Sequence, residues 1–250
     1  MNYIGSKFSI LDFIDKTIDD FVKPKDNDII FCDIFSGTGV VGKYFKNKGY
    51  NIISNDIQYY SYITAKHFIE NNEIIIFKRL KEIDIEPFEY LNNVEGKKGF
   101  IYNNYSLAGT KGKEYERLYF SNSNAMKIDA IRMKIEEWKN TNYLNDNEYN
   151  YLIASLIESA DKVANTASVY EAFLKNIKTT ALKELDLKPI DTIVVDGNKK
   201  YSVYNEDANE LIKHIKGDIL YLDPPYNTRK YDTNYHIIET IALYDNPEIK

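Results

Sequence analysis

Cysteine is almost absent: Cys32 is the single thiol in 250 residues, which excludes an internal disulfide and a thiolate zinc site. Histidine is scarce too, and His67, His214 and His236 are too scattered to be assigned to catalysis. Basic charge is not in excess, since 32 Lys and Arg stand against 38 Asp and Glu for a net charge of −6. Binding of nucleic acid by bulk charge is thereby excluded, and any such contact must be local. No apolar run approaches the roughly 18 residues needed to span a bilayer, and the first residues lack the basic-then-apolar pattern of a signal peptide. A cytoplasmic location is expected. Six prolines and 11 glycines form no low-complexity linker, and no repeats are visible. What remains is an ordinary globular balance, 44% hydrophobic and 28% charged, long enough for one large domain or two small ones. The 22 tyrosines, beside abundant Asn, Ile and Lys, read as coding bias.

Apolar residues at Ile10, Leu11, Phe13, Ile14, Ile18, Phe21 and Val22 recur every three or four positions and predict a first helix ending before Pro24. Ile29 to Phe35 has the continuous apolarity of a strand covered on both faces and runs into Ser36-Gly37-Thr38-Gly39. Val40 to Lys48 predicts a helix closed by Gly49, and Tyr50 to Ser54 a second strand ending at Asn55-Asp56. Strand, turn, helix and strand make a βαβ unit, hence a parallel α/β sheet. From about 77 to 189 the pattern changes. Helical stretches are predicted at Asn124 to Asn140, Asp146 to Ala164 and Val169 to Lys183, with glycine- and lysine-rich connections at 95–99 and 109–113. Strand signals resume at Asp191 to Val195, Tyr201 to Tyr204 and Asp218 to Leu222. The expected organisation is a sheet domain of 1–76 and 190–250, interrupted by a helical insertion of 77–189.

Gly37-Thr38-Gly39-Val40-Val41-Gly42 satisfies the G-x-G-x-x-G spacing, and Asp56 ends the following strand. Glycine lets backbone amides approach a ligand, and a terminal carboxylate can accept both ribose hydroxyls. A nicotinamide cofactor, any other adenosyl cofactor, or a tight turn without a ligand all remain open at this point. Asp33, inside the first strand, would repel a pyrophosphate and attract a cation.

Asp223-Pro224-Pro225-Tyr226 follows the apolar strand Ile219 to Leu222 and so falls at the carboxyl edge of the sheet, where open α/β proteins bind ligands. Two prolines stiffen the turn and fix the directions of the preceding carbonyls. Such a turn suits a planar ring bearing an amine: the Asp223 carboxylate and the Pro224 carbonyl each accept one N–H, and Tyr226 stacks on the ring. Two acceptors that draw the amine hydrogens out of plane localise its lone pair for attack.

Tyr3-Ile4-Gly5-Ser6-Lys7, Asp33-Ile34-Phe35-Ser36-Gly37-Thr38-Gly39, Asn55-Asp56, Glu206-Asp207-Ala208 and Asp223-Pro224-Pro225-Tyr226 occur in an order that resembles Dam-type, alpha-group adenine-specific DNA methyltransferases. The resemblance extends to Lys127-Ile128-Asp129-Ala130-Ile131-Arg132 and Asp161 to Thr166 in the insertion, which look like modification methylases of restriction systems. It implies a doubly wound, mostly parallel Rossmann-like sheet and S-adenosylmethionine as cofactor. By the same resemblance Tyr3 and Lys7 wall the cofactor pocket, Phe35 and Gly37 to Gly39 pass beneath the methionine part, and Asp33 and Thr38 lie near its polar groups. Asp56 would hold the ribose, Asp207 or its neighbour Glu206 the adenine amine, and Asp223 both the methionine amine and the target base. The insertion would read double-stranded DNA. Arg229 and Lys230 are candidates for phosphates beside an extruded base, and Lys162 and Lys175 lie in a stretch, 162–183, with four lysines against one glutamate. No metal is implied, and a paired restriction endonuclease is an expected partner.

Family members continue beyond the point where this sequence stops, so the carboxyl-terminal strands are expected to be missing and the Asp223 strand to form a sheet edge. Weak activity of the isolated chain, or completion by a second polypeptide, follows as an expectation. Two rival readings stay open: methylation of a guanine amine in RNA, and a fragment that binds cofactor or DNA without turnover.

Overall fold

The computed structural model describes residues 7–22, 29–167, 169–225 and 231–248. The chain divides into two compact units. One comprises the described residues of Tyr3–Ile74 and Asp191–Asn227; the other comprises Ile75–Ile190 and the described part of Thr228–Lys250.

The first unit is built on four parallel strands, β1 (Ile30–Asp33), β2 (Asn51–Asn55), β3 (Tyr201–Tyr204) and β4 (Ile219–Tyr221), in the order β3-β2-β1-β4. β1 and β2 are central and nearly fully buried, and β1 accordingly reads as an apolar run up to Asp33. Phe31 of β1 stacks on Phe45 of helix Val40–Asn47 with ring centroids 4.3 Å apart, and buried Ile52, Ile63 and Ile69 complete this core. Burial of each such side chain contributes about 1.5–3 kcal/mol. Gly37 and Gly39 sit at φ of 51° and 70°, a conformation that leads β1 into the helix and that other L-residues reach only at a cost. The first helix runs Leu11–Phe21. β4 pairs with β1 alone among the described residues, so it is an edge.

Asp191 to Val195 forms no ladder, contrary to the predicted strand. Side chains hold it instead: Lys46 Nζ donates to Ile193 O at 2.9 Å, the His67 ring bonds Asp191 O at 2.9 Å, and the Asn72 amide pairs with both backbone groups of Val195. Lys46 is fully buried, and its other donors meet Phe68 O and Asn71 O. Burial lowers the Lys46 ammonium to about 8 and the His67 imidazole to about 4.

The second unit is helical. Helix Asn122–Asn140 starts at Ser121, whose hydroxyl accepts from Asn124 N–H, and Asp146–Lys162 starts at a capping box of Asn145 and Glu148. Ile128, Ile131 and Ile135 of the former helix and Leu152, Ile153, Leu156 and Ile157 of the latter are buried in the core of the unit, where the two helices pack together. Between Asp129 and Arg132, one turn apart, two other helices are tied down. Asp129 accepts from Gly99, Ile101 and Tyr102 N–H at 2.8–3.0 Å at the start of helix Phe100–Tyr105, and from the Tyr244 hydroxyl at 2.7 Å. Arg132 donates to Ile241 O and Ala242 O at the end of helix Tyr231–Leu243.

The predicted helix at Val169 to Lys183 is not formed; apart from a 3-10 turn at Thr179–Leu182 the segment is irregular. The buried Asn165 side chain accounts for this, because it donates to Leu118 O and Leu174 O and accepts from Lys178 N–H, competing with helical bonding. The sequence grouping also placed everything from 190 onward with the sheet. Helix Tyr231–Leu243 groups instead with the helices, since Arg132 caps it and Ile237, Ile238 and Ile241 are fully buried there. No helix among the described residues is long and apolar enough to cross a membrane.

Candidate active site

The site lies where β1 and β4 end. The pairing of Asp33 with Tyr221 in register sets the glycine turn after β1 beside the Asp223-Pro224-Pro225 segment after β4. Lys7 Nζ forms an ion pair with the Asp223 carboxylate, joining the residue before the first helical turn to the proline turn. Pro224 and Pro225 are exposed. Tyr3, Tyr226, Arg229 and Lys230 lie outside the described residues.

Asp33 is 1% exposed, and neither its Oδ1 nor the buried Ser36 Oγ has a hydrogen-bond partner among the described residues. Burial pushes the Asp33 carboxyl up to about 7; Asp56 and Asp223 add to the shift, while the Phe35 N–H and Lys7 oppose it. A buried acceptor with nothing to accept is costly unless a ligand supplies the partner. An approaching cation would restore the Asp33 charge, so this pair of atoms fits a cationic cofactor. Phe35 is half-buried against the cluster of Cys32, Ile34 and Leu211, and Thr38 is half-buried on the turn. The Cys32 thiol is buried and raised in pKa by that burial, which suits packing rather than nucleophilic chemistry.

Asp56 accepts from Gly37 N–H at 2.7 Å through one oxygen and from Gln58 N–H at 2.9 Å through the other. It therefore shapes the glycine turn itself, with further lone pairs available to a ligand. Burial raises its pKa, and the two N–H bonds oppose the rise. Asp207 is exposed and caps the short helix Ala208–Leu211 by accepting from Asn209 at 2.7 Å. Lys162 and Lys175 are exposed in the helical unit. The sequence reading missed Tyr221, whose phenol is pushed up to about 12 by burial and then by Asp223 and Asp33. It also gave no role to Asn55, although the Asn55-Asp56 pair was on view.

The family model of D12 class N6 adenine-specific DNA methyltransferases matches residues 3–250. The chain belongs to this family. As a D12-class chain it is 47% identical over 246 residues to the type II methyltransferase M.NlaIII of Neisseria lactamica, covering 98% of this chain and 70% of that one. It is 47% identical over 256 residues to the type II methyltransferase M.FokI of Planomicrobium okeanokoites and 42% over 254 residues to the modification methylase StsI of Streptococcus sanguinis. Those two matches cover all of this D12-class chain and 38% and 37% of the relatives. No solved structure matches it significantly. Membership implies a methyl donor and matches the sheet described above.

The Asp33 carboxyl makes the stability of the free D12-class chain depend on pH. Folding raises its pKa, so the folded chain keeps a proton that the unfolded chain releases, and the associated stability is full below about pH 4 and lost as pH rises to about 7. Asp33→Asn is expected to remove that loss. Urea melts at pH 5 and pH 8 should show the variant gaining on the parent at the higher pH; parallel profiles for the two would contradict the assignment.

Proposed function

We propose that this chain transfers a methyl group from S-adenosylmethionine to the exocyclic N6 amine of an adenine flipped out of double-stranded DNA. The observation that carries the reading is the neighbouring parallel pair β1 and β4, which ends in the glycine turn on one side and the Asp223 turn on the other. When bound, the cofactor supplies a methyl group on a sulfonium cation. Asp33, Lys7 and the Gly37–Gly39 turn hold its methionine end, and Asp56 its ribose. The Asp223 carboxylate and the Pro224 carbonyl accept the hydrogens of the target amine, and Tyr226 stacks on the base. Extrusion costs a few kcal/mol and stacking returns about 1–3 kcal/mol. Orientation and fixed acceptors provide the acceleration without a covalent enzyme intermediate.

In this reading Asp223 alternates between partners. The Lys7 ammonium neutralises the carboxylate in the free chain, and the target amine competes for the same oxygens on arrival. Residues 77–189 read the DNA sequence, with Lys162, Lys175, Arg229 and Lys230 on phosphates, and the modification protects cytoplasmic DNA from a paired restriction endonuclease. Incubation with methyl-labelled S-adenosylmethionine and either duplex DNA or ribosomal RNA tests the proposal. Label is expected in DNA; label confined to RNA would overturn it.

A further inference from the structure

Asn55 ends β2, the strand between β1 and β3, and its side chain is spent on both neighbours. Its Nδ2 donates to Ile34 O beyond β1 and to Glu206 O beyond β3, each at 3.1 Å, while its Oδ1 accepts from Glu206 N–H at 3.0 Å. Its own carbonyl accepts from Ser36 N–H at 2.9 Å. The amide is 1% exposed, so these bonds are not shared with water. The two hydrogen bonds to Glu206 extend the β2–β3 connection two residues past Tyr204, the partner of Asn55 in the last ladder pair, by using a side chain in place of a strand. Asn205 returns the stitch by donating to Asp56 O at 2.7 Å and Ile57 O at 3.0 Å. The 205–207 segment is thus fixed to the end of β2, and through the same amide to the turn after β1.

We infer that Asn55 is a positioning residue that sets the cofactor's base selectivity by holding the Glu206-Asp207 segment at a fixed offset from the glycine turn. The inference rests on the cofactor reading above and deepens it. An adenine carries an amine donor at position 6, so acceptors on this segment select it over a base with a carbonyl there only while the segment cannot shift. Asn55→Asp keeps the acceptor for Glu206 N–H but sets a carboxylate oxygen against two carbonyls; Asn55→Ala removes both functions.

Calorimetry on the full chain with S-adenosylhomocysteine and with S-inosylhomocysteine, in which the amine is replaced by a carbonyl, tests this. The parent is expected to prefer the adenosyl ligand by about tenfold or more, and both variants to keep less than about threefold preference. A merely structural role would weaken both ligands equally and leave the preference intact, which would overturn the inference. Equal binding of the two ligands by the parent would overturn it as well, whereas binding of neither would overturn the cofactor reading itself. If circular dichroism finds both Asn55 variants unfolded, Asn205→Ala, at an exposed position, loosens the same segment from its other side. Loss of preference there supports the inference and an unchanged preference overturns it.

Discussion

Replacing Asp223 with asparagine is expected to slow methyl transfer to DNA by about two to three orders of magnitude, the usual cost of losing one preorganised electrostatic contact to the reacting group. The substitution is nearly isosteric, but the amide it introduces can offer the target amine only one acceptor oxygen and turns a donor toward it on the other side. It also removes the carboxylate charge that pairs with the Lys7 ammonium. The fold is expected to survive, because Asp223 is partly exposed on an edge turn and anchors no strand. Asp33 should ionise more readily in the variant, since the Asp223 charge is one of the contributions that raise its pKa. Single-turnover rates with saturating DNA and cofactor separate the chemical step from binding. A rate within about threefold of the parent would remove Asp223 from the reaction, given the loss expected of such a contact.

The largest effect on stability is expected at Asp129. Its carboxylate is fully buried and satisfies three backbone N–H groups and the Tyr244 hydroxyl, so Asp129→Ala orphans four donors at once. Each buried unsatisfied group costs about 1–3 kcal/mol, and relaxation and entering water reduce the sum, so a loss of about 3–5 kcal/mol is expected. Asp129→Asn keeps one acceptor oxygen and should cost less, and Tyr244→Phe, which removes one donor, least. Denaturant melts of the three variants should fall in that order. Equal midpoints for Asp129→Ala and Tyr244→Phe would show that the carboxylate does not hold the start of helix Phe100–Tyr105.

Features governed by local chemistry were legible in the sequence. β1 is buried and apolar up to Asp33, β2 is buried around Ile52 and Ile53, and the turn between β1 and its helix needs positive φ at Gly37 and Gly39, which only glycine adopts without strain. The proline pair after β4 was equally plain. What failed depended on partners distant in sequence. Val169 to Lys183 has helical spacing, but Tyr170 is pinned by Asn234 O to its N–H and by the Tyr119 hydroxyl to its carbonyl. Asp191 to Val195 looks like a strand and is claimed by Lys46, His67 and Asn72, more than a hundred residues earlier. At the site, Asp56 was read as a ligand group from its position at a strand end, and Asp207 from the family resemblance. Their bonds to Gly37, Gln58 and Asn209 show that each also shapes the backbone that would meet the ligand. Nothing in the local pattern around Asn55 signals that its amide spans three strand ends.

In the proposed reaction the ends of β1 and β4 together present a donor pocket and an amine-binding turn to a single extruded base. Mass spectrometry of nucleosides from duplex DNA treated with the chain and S-adenosylmethionine reads the outcome directly. N6-methyladenine should accumulate with the parent and fall to background with Asp223→Asn. Methyl groups found on cytosine or guanine instead, or undiminished N6-methyladenine from the variant, would contradict it.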